Sequence, residues 1–156
     1  MSDLRELYQE VILGHYKKPR NFRKIDDATR HVEGYNPLCG DKVTVFLTLK
    51  DSRVTDIGFE GRGCAISMAS ASLMTEVIKG KTEAEVRALF ESFHDEMTGK
   101  SLCHGAAAGE LDKLTVLSGV REYPMRVKCA TLSWHTLVAA LNQAQDKVST
   151  ESEGNG

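Results

Sequence analysis

The sequence predicts an α+β domain: a short antiparallel three-stranded sheet with helices packed on one side. Three observations carry this reading. Val43, Val45, Leu47 and Leu49 alternate with Thr44, Phe46, Thr48 and Lys50, the period of two expected of a strand with one buried face. Asp51-Ser52 then supplies a turn, and residues 54–60 read as the return strand, with Ile57 and Phe59 on one face. After Gly61-Arg62-Gly63-Cys64 the spacing becomes helical, with Ile66, Ala69, Leu73 and Val77. Strands followed by helices, rather than alternating with them, favour α+β over a parallel α/β sheet.

The remaining elements follow in order. Leu4, Leu7, Tyr8, Val11 and Ile12 predict a first helix, capped by Ser2 or Asp3 and ending near Gly14. His15-Tyr16-Lys17-Lys18-Pro19-Arg20-Asn21 is a polar, basic connector, and Pro19 and Pro37 break helical continuity. A third strand over residues 30–35 is signalled more weakly. Gly80 ends the helix begun after Cys64. Thr82 and Glu85 form a capping box for a helix with Val86, Leu89, Phe90 and Phe93 on its apolar stripe. Residues 98–109, rich in Gly and Ala, read as a loop. Leu111, Leu114 and Leu117 suggest a short helix ending at Gly119, and Pro124 marks residues 121–128 as extended. Trp134, Leu137, Val138 and Leu141 place a last helix. The organisation is one domain over residues 1–146 and a polar tail, 147–156, expected to be disordered.

Composition narrows the function. Hydrophobic residues at 41% and charged residues at 27% are those of a globular chain rather than a disordered one. A net charge of −2 argues against a nucleic-acid binder, which carries a basic excess. No apolar run is long enough to span a bilayer. The N-terminus has no signal-peptide core, so a cytoplasmic location is expected. There thiols stay reduced, and four cysteines point to metal or reactive thiols rather than disulfides.

Three of the cysteines fall at element junctions. Cys39 lies in a turn before a strand, Cys64 where a strand meets a helix, and Cys129 just before the predicted last helix. A helix N-terminus presents free N–H groups and favours the thiolate, the form that binds metal and attacks sulfur. Arg126 and Lys128 add positive charge beside Cys129. Gly40 lets the side chains of Cys39 and Asp41 turn towards one ion. No local CxxC pair exists, so any site is assembled by the fold. Three thiolates and one carboxylate make a sulfur-rich tetrahedral set, for which zinc is the natural occupant. The competing readings are that these cysteines are small buried hydrophobes, or that the zinc is only structural. Cys103 beside His104 reads as a loop thiol, and His135 as a structural histidine. Gly99-Lys100-Ser101 lacks the earlier glycine of a phosphate-binding loop, since His94 stands there.

Four segments carry a family resemblance. They are Ile12-Leu13-Gly14-His15-Tyr16 with Pro19-Arg20-Asn21; Asn36-Pro37-Leu38-Cys39-Gly40-Asp41; Phe59-Glu60-Gly61-Arg62-Gly63-Cys64-Ala65-Ile66-Ser67; and Arg126-Val127-Lys128-Cys129-Ala130-Thr131-Leu132. The chain resembles the SufU-type branch of the IscU/NifU N-terminal family of iron–sulfur cluster assembly proteins. The branch is indicated by Lys128, where IscU-type scaffolds place a histidine, and by a longer stretch between Lys81 and Cys129. The resemblance implies one zinc per chain on Cys39, Asp41, Cys64 and Cys129. It implies persulfide transfer from a SufS-type cysteine desulfurase to Cys39, after a partner histidine displaces that cysteine from the metal, and delivery to downstream Suf assembly proteins. The alternative is a scaffold that holds a transient [2Fe–2S] cluster on the same ligands. A third reading is an interaction module with a purely structural zinc.

Overall fold

The computed structural model describes residues 2–37, 40–98, 124–142 and 147–149. The chain runs α1 (Ser2–Lys17), β1 (Arg30–Asn36), β2 (Asp41–Lys50), β3 (Arg53–Arg62), α2 (Ala65–Ile78), α3 (Glu83–Thr98), α4 (Pro124–Asn142) and β4 (Lys147–Ser149). The first three strands form the expected antiparallel sheet, β1 pairing with β2 and β2 with β3. Asp51 and Ser52 make the β2–β3 turn with φ of 54° and 63°. Positive φ at both central positions matches the right-handed twist of a hairpin.

Alternation along β2 does what its sequence predicts. Val43, Val45 and Leu47 are fully buried and join Val32, Val54, Ile57 and Phe59 beneath the helices. α4 lies across β1 and β2, α2 lies across β3, and α1 and α3 pack against α2 and α4 respectively. Phe46 points to the other face, yet it is also covered, stacking on His31 at 5.9 Å. Trp134 of α4 stacks on Phe93 of α3 with ring centroids 4.8 Å apart, and both side chains are fully buried. The capping box forms as predicted: the Thr82 N–H donates to Glu85 Oε1 at 2.9 Å, and the Glu85 N–H donates to Thr82 Oγ1 at 3.2 Å.

Three elements differ from the sequence reading. α1 runs through Gly14 to Lys17, and the Lys18 N–H still donates to the Gly14 carbonyl at 2.9 Å. Tertiary contact overrides the local preference, because His15 is buried against α2. Residues 124–128 are helical rather than extended. Pro124 is the first residue of α4, where the missing N–H costs nothing. Finally, Lys147–Ser149, expected at the start of a disordered tail, add a short parallel strand to β1, so the sheet order is β3-β2-β1-β4. The outer edge of β1 offers unpaired backbone groups that a returning chain can satisfy. Of the expected loop at 98–109, Thr98 is instead the last residue of α3; the rest of it, the short helix ending at Gly119, and residues 150–156 lie outside the described residues.

The connector after α1 is clamped to α2. His15 Nδ1 lies 2.6 Å from Ser72 Oγ, which also accepts the Arg20 N–H at 2.8 Å. Asn21 Nδ2 donates to Thr75 Oγ1 at 2.9 Å. Burial, with Arg20 nearby, lowers the His15 pKa below 6.5, although Glu76 opposes this. The folded state therefore favours neutral His15. Its contribution to stability is complete above the unfolded value near 6.5 and is lost as pH falls through the lower folded value. An NMR titration of the His15 ring is expected to have its midpoint below 6.5; a midpoint above 6.5 contradicts the burial argument.

Candidate metal centre

The site is built where β1 and β2 meet the starts of two helices. Asp41 opens β2 and is completely buried. Its Oδ1 accepts the Cys64 N–H at 2.9 Å, and its Oδ2 accepts from Asn36 Nδ2 at 3.2 Å. Each carboxylate oxygen keeps lone-pair capacity for a further partner. Gly63 is what permits this approach: a Cβ there would lie 2.4 Å from Asp41 Oδ1.

Cys64 is the N-cap of α2, as its strand-to-helix position suggested, and its Sγ accepts the Ser67 N–H at 3.4 Å. Its thiol pKa falls from 9.0 to about 6. The hydrogen bond with Cys129 is the largest cause; burial opposes it, the backbone N–H groups of Ser67 and Ile66 assist, and Asp41 opposes. Cys129 is fully buried in the second turn of α4, not before the helix as the sequence reading had it. Its position is held by neighbouring packing, with the Ser70 hydroxyl of α2 donating to the Ala130 carbonyl. Cys129 Sγ accepts from Asn36 Nδ2 at 3.6 Å.

These elements bring Asp41, Cys64 and Cys129 together, with one ligand atom from each within 4.8 Å of the others. A tetrahedral zinc with ordinary Zn–S and Zn–O lengths holds its donors roughly 3.5–3.8 Å apart. A contraction of at most about 1.3 Å would therefore seat all three on one ion. The donor chemistry fits as well, because two cysteine sulfurs and a carboxylate, with Asp41 and Cys129 buried and Cys64 partly so, are a set that a borderline-soft cation such as zinc binds. Cys39, the fourth predicted ligand, lies outside the described residues, as do Cys103 and His104. Gly40, at φ of 75°, donates its N–H to the Asn36 backbone carbonyl at 2.9 Å. A φ of this kind favours glycine.

His135 sits elsewhere on α4, edge-on to Phe90 at 5.4 Å and to His94 at 5.7 Å. Burial, and the neighbouring His94, lower its pKa. The residue that sequence reasoning left without a role is Asn36. It entered only as part of the segment Asn36-Pro37-Leu38-Cys39-Gly40-Asp41, and no spacing rule ties it to Cys129.

Fold and site together define a small α+β domain with a largely buried Asp/Cys/Cys group that could hold a metal ion. The model of the NifU-like N-terminal domain matches residues 7–150, and the chain belongs to that family. The zinc-dependent sulfurtransferase SufU of Bacillus subtilis is 43% identical over 136 residues, covering 87% of this chain and 90% of that protein. The iron–sulfur cluster assembly scaffold protein IscU of Thermotoga maritima is 43% identical over 138 residues, covering 88% and 94%. Among solved structures, a protein from Fervidobacterium islandicum, described as an iron–sulfur cluster assembly scaffold for the SUF system, superposes with a TM-score of 0.79. It is 38% identical, and the match covers 85% of this chain and 94% of that one. No helix among the described residues is long and apolar enough to cross a membrane.

Proposed function

We propose that this chain is a zinc-dependent sulfur acceptor in iron–sulfur cluster assembly, taking persulfide sulfur from a SufS-type cysteine desulfurase. The observation that carries the reading is the convergence of Asp41, Cys64 and Cys129. Cys39 is the fourth ligand, one zinc is held per chain, and the work is done in the cytoplasm. Bound zinc supplies Lewis-acid stabilisation that keeps its sulfurs as thiolates at neutral pH.

The residues then divide by role. Asp41, Cys64 and Cys129 are anchored by β2, the α2 N-terminus and α4. Cys39, two residues before Asp41 in the sequence, is the ligand that a partner group displaces from the metal. Its thiolate attacks the outer sulfur of the desulfurase persulfide. A new S–S bond forms on Cys39, the S–S bond in the partner breaks, and its electron pair leaves on the partner cysteine as thiolate. Downstream Suf assembly proteins receive the sulfur. Lys128, beside Cys129, is a cation rather than a ligand, which suits a sulfur carrier with three thiolates and one carboxylate.

A Cys39→Ser variant mixed with desulfurase and free cysteine tests this directly. The expected result is loss of stimulated sulfide release, with no persulfide found on the variant. Stimulation equal to that of the unaltered chain removes Cys39 from the role.

The scaffold name of the Thermotoga relative supports a second reading, in which the same ligands assemble a [2Fe–2S] cluster. Anaerobic reconstitution with iron and sulfide separates the two. A stable visible chromophore that displaces zinc favours the scaffold, whereas retained zinc without a chromophore favours the carrier.

A further inference from the structure

We propose that Asn36 is the positioning residue of this centre: its buried side-chain amide holds Asp41 and Cys129 at the spacing that zinc requires. The inference rests on the zinc reading above. Asn36 ends β1, is completely buried, and faces Asp41 across the β1–β2 register. Its Nδ2 donates to Asp41 Oδ2 at 3.2 Å and to Cys129 Sγ at 3.6 Å. An amide nitrogen carries two hydrogens, one for each acceptor. The backbone carbonyl of Asn36 meanwhile accepts the Gly40 N–H at 2.9 Å. One side chain therefore ties together the end of β1, the start of β2 and the second turn of α4.

The residue type suits the task. Burying an amide is costly unless its hydrogens are used, so the orientation of Asn36 is fixed by the two acceptors it serves. As a neutral donor it stabilises a thiolate and a carboxylate without adding a charge that would compete with the metal. The N–H bonded to Cys129 draws electron density from that sulfur, which changes the energy of sulfur-to-metal charge transfer. Aspartate at this position would keep the shape, lose both donors and add a negative charge. Leucine would keep the volume and supply no donor.

The test compares Asn36→Asp and Asn36→Leu with the unaltered chain. Two quantities are read: the rate of zinc release to a chromophoric chelator, and the thiolate-to-cobalt charge-transfer band of the cobalt-substituted protein. Release is expected to be ~10–100-fold faster in both variants, the range typical of losing an outer-shell partner, and the band to move to lower energy. Folded variants with unchanged release and an unchanged band overturn the proposal while leaving zinc binding intact. An unaltered chain that takes up no zinc overturns the zinc reading and this inference with it. If neither variant folds, cadmium-113 NMR of the unaltered chain decides. A coupling between cadmium and an Asn36 side-chain amide proton, carried through Cys129 Sγ, supports the assignment, and its absence overturns it.

Discussion

Cys129→Ala is expected to leave the chain without bound zinc after gel filtration, where the unaltered chain retains about one per chain. The substitution takes a fully buried sulfur from a group whose ligand atoms lie within 4.8 Å of one another. It also deprives Asn36 Nδ2 of one of its two acceptors. A donor lost from the ligand set itself should cost more than the ~10–100-fold typical of an outer-shell partner. Asp41→Asn provides a graded comparison. The amide keeps the carboxylate shape and an oxygen able to accept the Cys64 N–H at 2.9 Å, but it lacks the negative charge. Its zinc affinity should fall between those of the unaltered chain and Cys129→Ala. Cys103→Ala should bind zinc as the unaltered chain does. Elemental analysis of the purified variants reads all three, and normal zinc in Cys129→Ala removes that residue from the ligand set.

Trp134→Ala is expected to lower folding stability by ~3–5 kcal/mol, the range for deleting a buried aromatic side chain. Against a total of roughly 5–15 kcal/mol for a domain, this removes a large part of the margin. Trp134 is fully buried and stacks on Phe93 at 4.8 Å, so it joins α4 to α3. It also lies on the helix that carries Cys129, so loosening it should weaken zinc retention as well. Trp134 Nε1 has no hydrogen-bond partner among the described residues, and Trp134→Phe forfeits packing volume alone. That variant should therefore be clearly more stable than Trp134→Ala. Urea unfolding followed by far-UV circular dichroism is the suitable measurement, since Trp134 is the only tryptophan and fluorescence is lost with it. A loss under about 1 kcal/mol for Trp134→Ala would contradict the packing described.

Much of the fold was legible because local patterns agreed with their surroundings. The alternation of Val43, Val45 and Leu47 names a buried face, and the structure buries that face. Thr82 and Glu85 carry their own capping geometry within four residues. Cys64 is found at a helix start because the period changes on either side of it. The misread elements depend on information that is not local. Gly14 and Pro124 look like breaks in isolation. Burial of His15 against Ser72 carries α1 through the first, and the N-terminal position of Pro124 makes it harmless. The strand at Lys147–Ser149 has no pattern of its own and exists through the open edge of β1.

The candidate site divides in the same way. Residue chemistry and the family resemblance pointed to Asp41, Cys64 and Cys129, and the fold brings them together. The sequence reading gave Cys129 a helix N-terminus to lower its pKa. Its place in the second turn of α4 leaves that influence to Cys64, the N-cap of α2. The contribution of Asn36 depends on distances to two residues, one of them on another element far along the chain, which no spacing rule reports.

Zinc-edge X-ray absorption, recorded on the chain alone and then with the desulfurase, tests the central claim most directly. The account predicts stoichiometric zinc bound by three sulfurs at about 2.3 Å and one lighter donor. In the complex, one sulfur should give way to a lighter atom from the partner as Cys39 is released. A four-sulfur shell, or three sulfurs that persist unchanged while sulfide release is stimulated, would contradict it.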